Sequence, residues 1–230
     1  MASTLVTALL FTLAALRPGP DEPAVPAAGW PDVVMPLLEV PETEAAVAAE
    51  PEPDPDPTTF PQRAAGTFTV AAPVDVEAAG SGRDVRYSVE VEDGLDHQGD
   101  VVARQVADVL GDRRGWRTQG WSFTQVADRP AVRVLLASPE TVDVLCAPLL
   151  TRGEVSCRTG DRVVLNVKRW VLGAESYRDD LQGYRQYLVN HEVGHFLGFG
   201  HVGCPAPGTP APVMLQQTKG LQGCVKNPWP

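Results

Sequence analysis

In the run VRYSVEV, apolar residues alternate with polar ones at Val85, Tyr87, Val89 and Val91, which predicts a strand with one buried face over 85–91. The spacing then changes. Val102, Val106, Val109 and Leu110 recur at helical intervals, with Asp100 before them as a candidate N-cap and Gly111 after them, so a helix is predicted over Val101–Leu110. Trp121–Val126 and Ala131–Ala137 predict two further strands. Arg162–Val167 (RVVLNV) predicts another, continuing towards Trp170. Leu181, Tyr184, Leu188, His191 and His195 share one helical face, so a long helix is expected from Leu181 to Leu197, capped by Asp179 or Asp180. This order of elements predicts an α/β fold: a small twisted mixed sheet with two main helices, the second lying beneath the sheet.

The N-terminal third reads differently. Residues 1–16 (MASTLVTALLFTLAAL) are apolar and carry no charge before Arg17. The run is shorter than the ~18–20 residues of a spanning helix and lacks a basic start. A signal peptide or membrane anchor is expected there, with a short N-terminal helix as the alternative. Residues 17–65, centred on EPEPDPDP at Glu50–Pro57, are expected to form a disordered linker, because such a composition cannot bury enough apolar surface to offset its ordering entropy. The folded domain is expected over residues 66–230. The net charge of −10 leaves no footprint for phosphate, so no nucleic-acid partner is expected.

Four cysteines, Cys146, Cys157, Cys204 and Cys224, stand beside this export-like segment. An even number in that context suggests disulfides and an oxidising, extracytoplasmic compartment. Three pairings exist; Cys146–Cys157 and Cys204–Cys224 are preferred because each closes a local loop, and free buried thiols are the alternative. Their spacing argues against a zinc knuckle.

The chemistry is concentrated in HEVGHFLGFGH at residues 191–201. On a helix, His191 and His195 project from one face, four residues apart. Gly198 can adopt a left-handed conformation, end the helix and turn the chain back, so that His201 arrives as a third ligand. Three protein ligands with an open fourth position describe a catalytic zinc site, and one Zn2+ per chain is expected. Glu192, one residue from the first ligand, stands where a general base for a zinc-activated water is needed. Three of the four histidines fall in this run. The fourth, His97, lies in DGLDHQGD and is expected to be a solvated loop residue. Asn190 is read as a capping or orienting group, or as polar surface. Trp170, Tyr184, Tyr187 and Trp229 are expected to pack, and Arg113–Arg114 to form a solvated helix end.

This extended motif resembles that of the metzincin clan of metallopeptidases. The resemblance implies a zincin-like fold with the long helix carrying the active site, and a methionine on a tight turn beneath the metal. Pro212-Val213-Met214-Leu215 is the candidate, with Met214 as a packing residue, not a ligand. The clan's edge strand, which pairs with extended substrate, would here be Arg162–Val167. Gln216 departs from relatives that carry a tyrosine at that position, so oxyanion stabilisation is left to another donor or to zinc. More closely, Tyr184–His201, Pro210–Thr218 and Gly223–Pro230 resemble an actinobacterial family of exported or membrane-anchored proteins of unknown function. The expected activity is zinc-dependent endopeptidase cleavage of a peptide or protein substrate, with cell-wall-associated substrates among the candidates, by a monomer secreted or anchored at the membrane. Two alternatives stay open: an inactive zinc-binding cell-surface interaction module, and a zinc amidase acting on cell-wall peptide.

Overall fold

The computed structural model describes residues 58–74 and 82–230. The segment expected to be an export signal or anchor, and most of the expected linker, lie outside the described residues. Among those described, no helix is long and apolar enough to cross a membrane.

Among the described residues, six strands form one mixed sheet: β1 (Phe68–Val70), β2 (Arg83–Glu92), β3 (Trp121–Gln125), β4 (Val132–Ala137), β5 (Cys157–Thr159) and β6 (Arg162–Asn166). The order is β1-β2-β4-β6-β5, with β3 also paired to β2. The pairs β2–β3, β2–β4 and β4–β6 are parallel; β1–β2 and β5–β6 are antiparallel. Four helices of the described residues accompany the sheet: α1 (Gly99–Gly111), α2 (Pro139–Cys146), α3 (Val167–Leu172) and α4 (Leu181–Phe196).

The period-two pattern sorts the sheet into two faces. Val85, Tyr87, Val89 and Val91 of β2, Val132, Val134 and Leu136 of β4, and Val163 and Leu165 of β6 join the main core with residues of α1 and α4. On the other face, Leu135, Ala137 and Val164 pack with Val142, Cys146 and Cys157 in a smaller cluster covered by α2. Ser88, Glu90 and Glu92, the even positions in the second half of β2, are polar yet buried. Glu92 accepts hydrogen bonds from the Gly66 and Ser138 amides and the Thr141 hydroxyl. Glu90 is bonded by Arg133 and Ser88.

Several expectations are corrected. The two main helices are present as α1 and α4, and the described residues add two shorter ones, α2 and α3, that no expectation covered. The strand beginning at Arg162 does not run on to Trp170: the Asn166 side chain accepts from the Lys168 amide and caps α3. Nor is that strand an edge. It lies between β4 and β5, so the edge is β5. Asp100 does not cap α1 as an N-cap, because the helix begins one residue earlier, at Gly99. Asp180 does cap α4, accepting from the Gly183 amide at 2.8 Å. The last residues assigned to the linker lie on the domain: Phe60 packs against the main core, and the Gln62 carbonyl accepts from the Glu140 amide.

The four cysteines form the disulfides Cys146–Cys157 and Cys204–Cys224. Both fit an oxidising, extracellular environment.

Candidate metal centre

Helix α4 packs against β5 and β6 and carries the first two histidines. It ends in a Schellman arrangement: the Gly198 amide donates to the His195 carbonyl, and the Phe199 amide to the Gly194 carbonyl. Gly198 takes φ +99°, a conformation that side chains rarely adopt, so glycine is required for this turn. The reversal returns His201 to the helix. The Arg158 guanidinium of β5 caps the same end with two hydrogen bonds to the His195 carbonyl.

The result is a cluster in which one potential ligand atom from each of His191, His195 and His201 lies within 4.8 Å of the others. Two of the rings are fixed from behind. His191 Nδ1 meets the Val213 carbonyl at 2.8 Å and His195 Nδ1 the Phe199 carbonyl at 2.9 Å. A carbonyl only accepts, so each Nδ1 carries its hydrogen and each Nε2 keeps its lone pair. The Nε2 atoms of His195 and His201 stand 3.0 Å apart. Nitrogens bound to one tetrahedral ion at ~2.0–2.1 Å would be ~3.3 Å apart. Burial holds all three imidazoles below their ordinary pKa, with His191 pushed down to about 3. They are therefore neutral, the form that binds a metal. Convergent lone pairs, neutral rings and carbonyl-fixed tautomers fit a divalent ion that prefers nitrogen.

Glu192 is not part of the cluster. It is buried at the cleft, where loss of solvation pushes its carboxyl up to about 8. The cleft has a volume of about 430 Å³ and is lined by all three histidines, Glu192, Arg158, Gln216 and Lys219.

Beneath the helix, Pro212–Leu215 forms a tight turn closed by the Leu215 amide on the Pro212 carbonyl. This turn grips the site twice. The Val213 carbonyl holds His191, and the Met214 carbonyl accepts from the Val202 amide, next to His201. Met214 is buried in the main core. Its thioether lies against Gly194, where a Cβ would stand 2.5 Å from Sδ and 2.6 Å from Trp116 Cζ2.

Other residues act around the site without signals in the local sequence. Trp116 stacks on Phe199 and donates from its indole to the Asn190 carbonyl. Gln217 is fully buried and joins the Pro212 carbonyl to Tyr177 and Asn227. The Tyr187 hydroxyl donates to the Leu215 carbonyl and accepts from the Gln217 amide. Asn190 is buried and fastens the C-terminal segment through the Pro228 carbonyl. His97 stands outside the cluster and is half-buried, with its pKa lowered by burial and then by Arg185. Arg114 is not merely solvated: it bonds Asp112 and lies over the Trp229 ring.

A family described as "Protein of unknown function (DUF3152)" matches residues 54–228. No curated protein and no solved structure matches the chain.

Proposed function

The chain belongs to the DUF3152 family, and from that premise we propose that it is a zinc-dependent endopeptidase of metzincin type. The observation that carries this reading is the convergence of three neutral imidazoles at the wall of an open cleft, with a buried carboxyl beside them. A structural zinc site is closed by four protein ligands, whereas the described residues bring three together here. That difference favours catalysis over a purely structural role.

His191, His195 and His201 would hold the ion, and the Val213 and Phe199 carbonyls keep the first two rings in the ligating tautomer. When bound, the ion would supply a Lewis acid for the scissile carbonyl and would lower the pKa of water. Glu192 serves as the general base: it takes the proton from the attacking water and passes it to the leaving amine. Its burial favours this work, because a desolvated carboxylate is a stronger base than an exposed one. The Pro212–Leu215 turn, with Met214 under Gly194, sets the height of the helix over its floor. Export to an oxidising compartment, where a peptide or protein is cut, accords with the two disulfides.

The test is hydrolysis of a mixed-sequence peptide library by the full-length chain and by Glu192→Gln. The expected loss is at least ~100-fold, the range of general-base contributions, with zinc content unchanged. Equal cleavage by both proteins would remove Glu192 from the mechanism. No cleavage by the zinc-loaded wild type would remove the hydrolase reading.

A further inference from the structure

The chain between Cys146 and Cys157 is a loop of unusual construction. Its disulfide closes the base. Within it, the Leu149 amide bonds the Cys146 carbonyl and the Glu154 amide the Thr151 carbonyl. The Thr151 hydroxyl and the Gly153 amide both donate to the Asp143 carboxylate. The Asn166 side chain donates to the Gly153 carbonyl, and Lys168 and Arg169 pair with Glu154. Thr151, Gly153 and Glu154 thus fasten the loop to α2, β6 and α3. Among its exposed residues, beside Ala147, Pro148 and Arg152, is a pair of adjacent leucines, Leu149 at 55% and Leu150 at 77% exposure.

Both leucines line the cleft that holds the three histidines. So do Val155 from the same loop and Phe199, which is 38% exposed and backed by the Trp116 ring. A rigid loop that keeps two leucines in water at the mouth of a site has already met the ordering cost of binding, and its apolar surface gains by being covered. Glu192, Arg158 and Lys219 lie among the remaining lining residues.

We infer that this disulfide-closed loop is a recognition lip, and that the cleft selects peptides through a large apolar side chain seated against Leu149, Leu150 and Phe199. The assignment of the occupant as a peptide rests on the hydrolase reading; the apolar preference rests on the lip itself. A peptide, rather than a lipid surface, is favoured because the lip is continuous with the histidine cleft, a concavity of about 430 Å³ that a single extended chain can enter and a bilayer surface cannot.

The test uses two blocked hexapeptides, alike except for one central residue, leucine or glycine. Each is titrated into full-length Glu192→Gln protein carrying labelled leucine methyl groups, so that neither peptide is consumed. The leucine peptide is expected to shift the Leu149 and Leu150 resonances and to bind roughly tenfold tighter than the glycine peptide, the discrimination that apolar pockets supply. The double variant Leu149→Ser/Leu150→Ser, altered only at exposed positions, should keep its melting temperature and zinc content and lose that difference. Equal binding of the two peptides, or a preference that survives the double variant, would overturn the proposal. So would methyl shifts caused by phosphatidylglycerol vesicles and by neither peptide, which would assign the lip to a membrane. Because the readout is binding, failure of wild-type hydrolysis is a separate result that leaves this one standing.

Discussion

At position 194, a hydrogen in place of a methyl group sets how closely the histidine helix approaches the turn beneath it. An alanine Cβ would meet Met214 Sδ at 2.5 Å and Trp116 Cζ2 at 2.6 Å. The thioether can swing aside, since methionine is unbranched and adaptable. The indole cannot, because it is buried, bonded to the Asn190 carbonyl and stacked on Phe199. Gly194→Ala should therefore cost about 1–3 kcal/mol, the usual penalty of overpacking, and should weaken zinc retention by lifting His191 and His195 from their carbonyl partners. Calorimetry and metal analysis measure the two effects. Adding Met214→Ala should not restore stability, since Trp116 still blocks the methyl; full recovery would show that the thioether alone sets the fit.

Among the elements, β2 is the one whose two faces differ most. Val85, Tyr87, Val89 and Val91 fill the main core, while Glu90 and Glu92 are buried on the other side. Burial by itself would raise the Glu90 carboxyl, but hydrogen bonds from Arg133 and Ser88 outweigh it and hold the pKa below the ordinary value of 4.5. A carboxyl depressed on folding stabilises the native state above its unfolded pKa, and that contribution fades as pH falls through the lower folded value. Wild type should thus exceed Glu90→Gln in stability at neutral pH, with the gap narrowing below about pH 4.5. Urea unfolding at a series of pH values measures it, and a gap that widened with acid would contradict the assignment. The long elements were legible in the sequence because each repeats its period several times: β2, β4, α1 and α4 stand within a few residues of their expected places. The short ones were not. Three residues of β5 carry no period, and apolar VKRWVL continues the strand-like run before it until Asn166 is recognised as a cap. The three histidines could be found from spacing alone, because a helical turn and a glycine reversal bring them together locally. Trp116 and Gln217 could not, since they reach the site across long stretches of chain that no local pattern records.

Across the whole molecule, the two disulfides divide the work around the cleft. Cys204–Cys224 spans 20 residues and encloses the Pro212–Leu215 turn, so it restrains the floor on which the histidine helix rests. Cys146–Cys157 closes the leucine-bearing lip. Loss of the first as Cys204→Ser/Cys224→Ser should cost about 3 kcal/mol through loop entropy and reduce zinc retention. Loss of the second as Cys146→Ser/Cys157→Ser should destabilise the fold while sparing the metal. Melting temperatures and zinc content of the two variants separate these roles, and an equal fall in zinc content would contradict the division. The central claim, that His191, His195 and His201 form a metal centre, is tested most directly by the metal content of the full-length, oxidised protein after purification without added metal. The account predicts one zinc per chain, lost in His195→Ala protein that remains folded; correctly folded wild type that takes up no zinc, even when the ion is supplied, would contradict it.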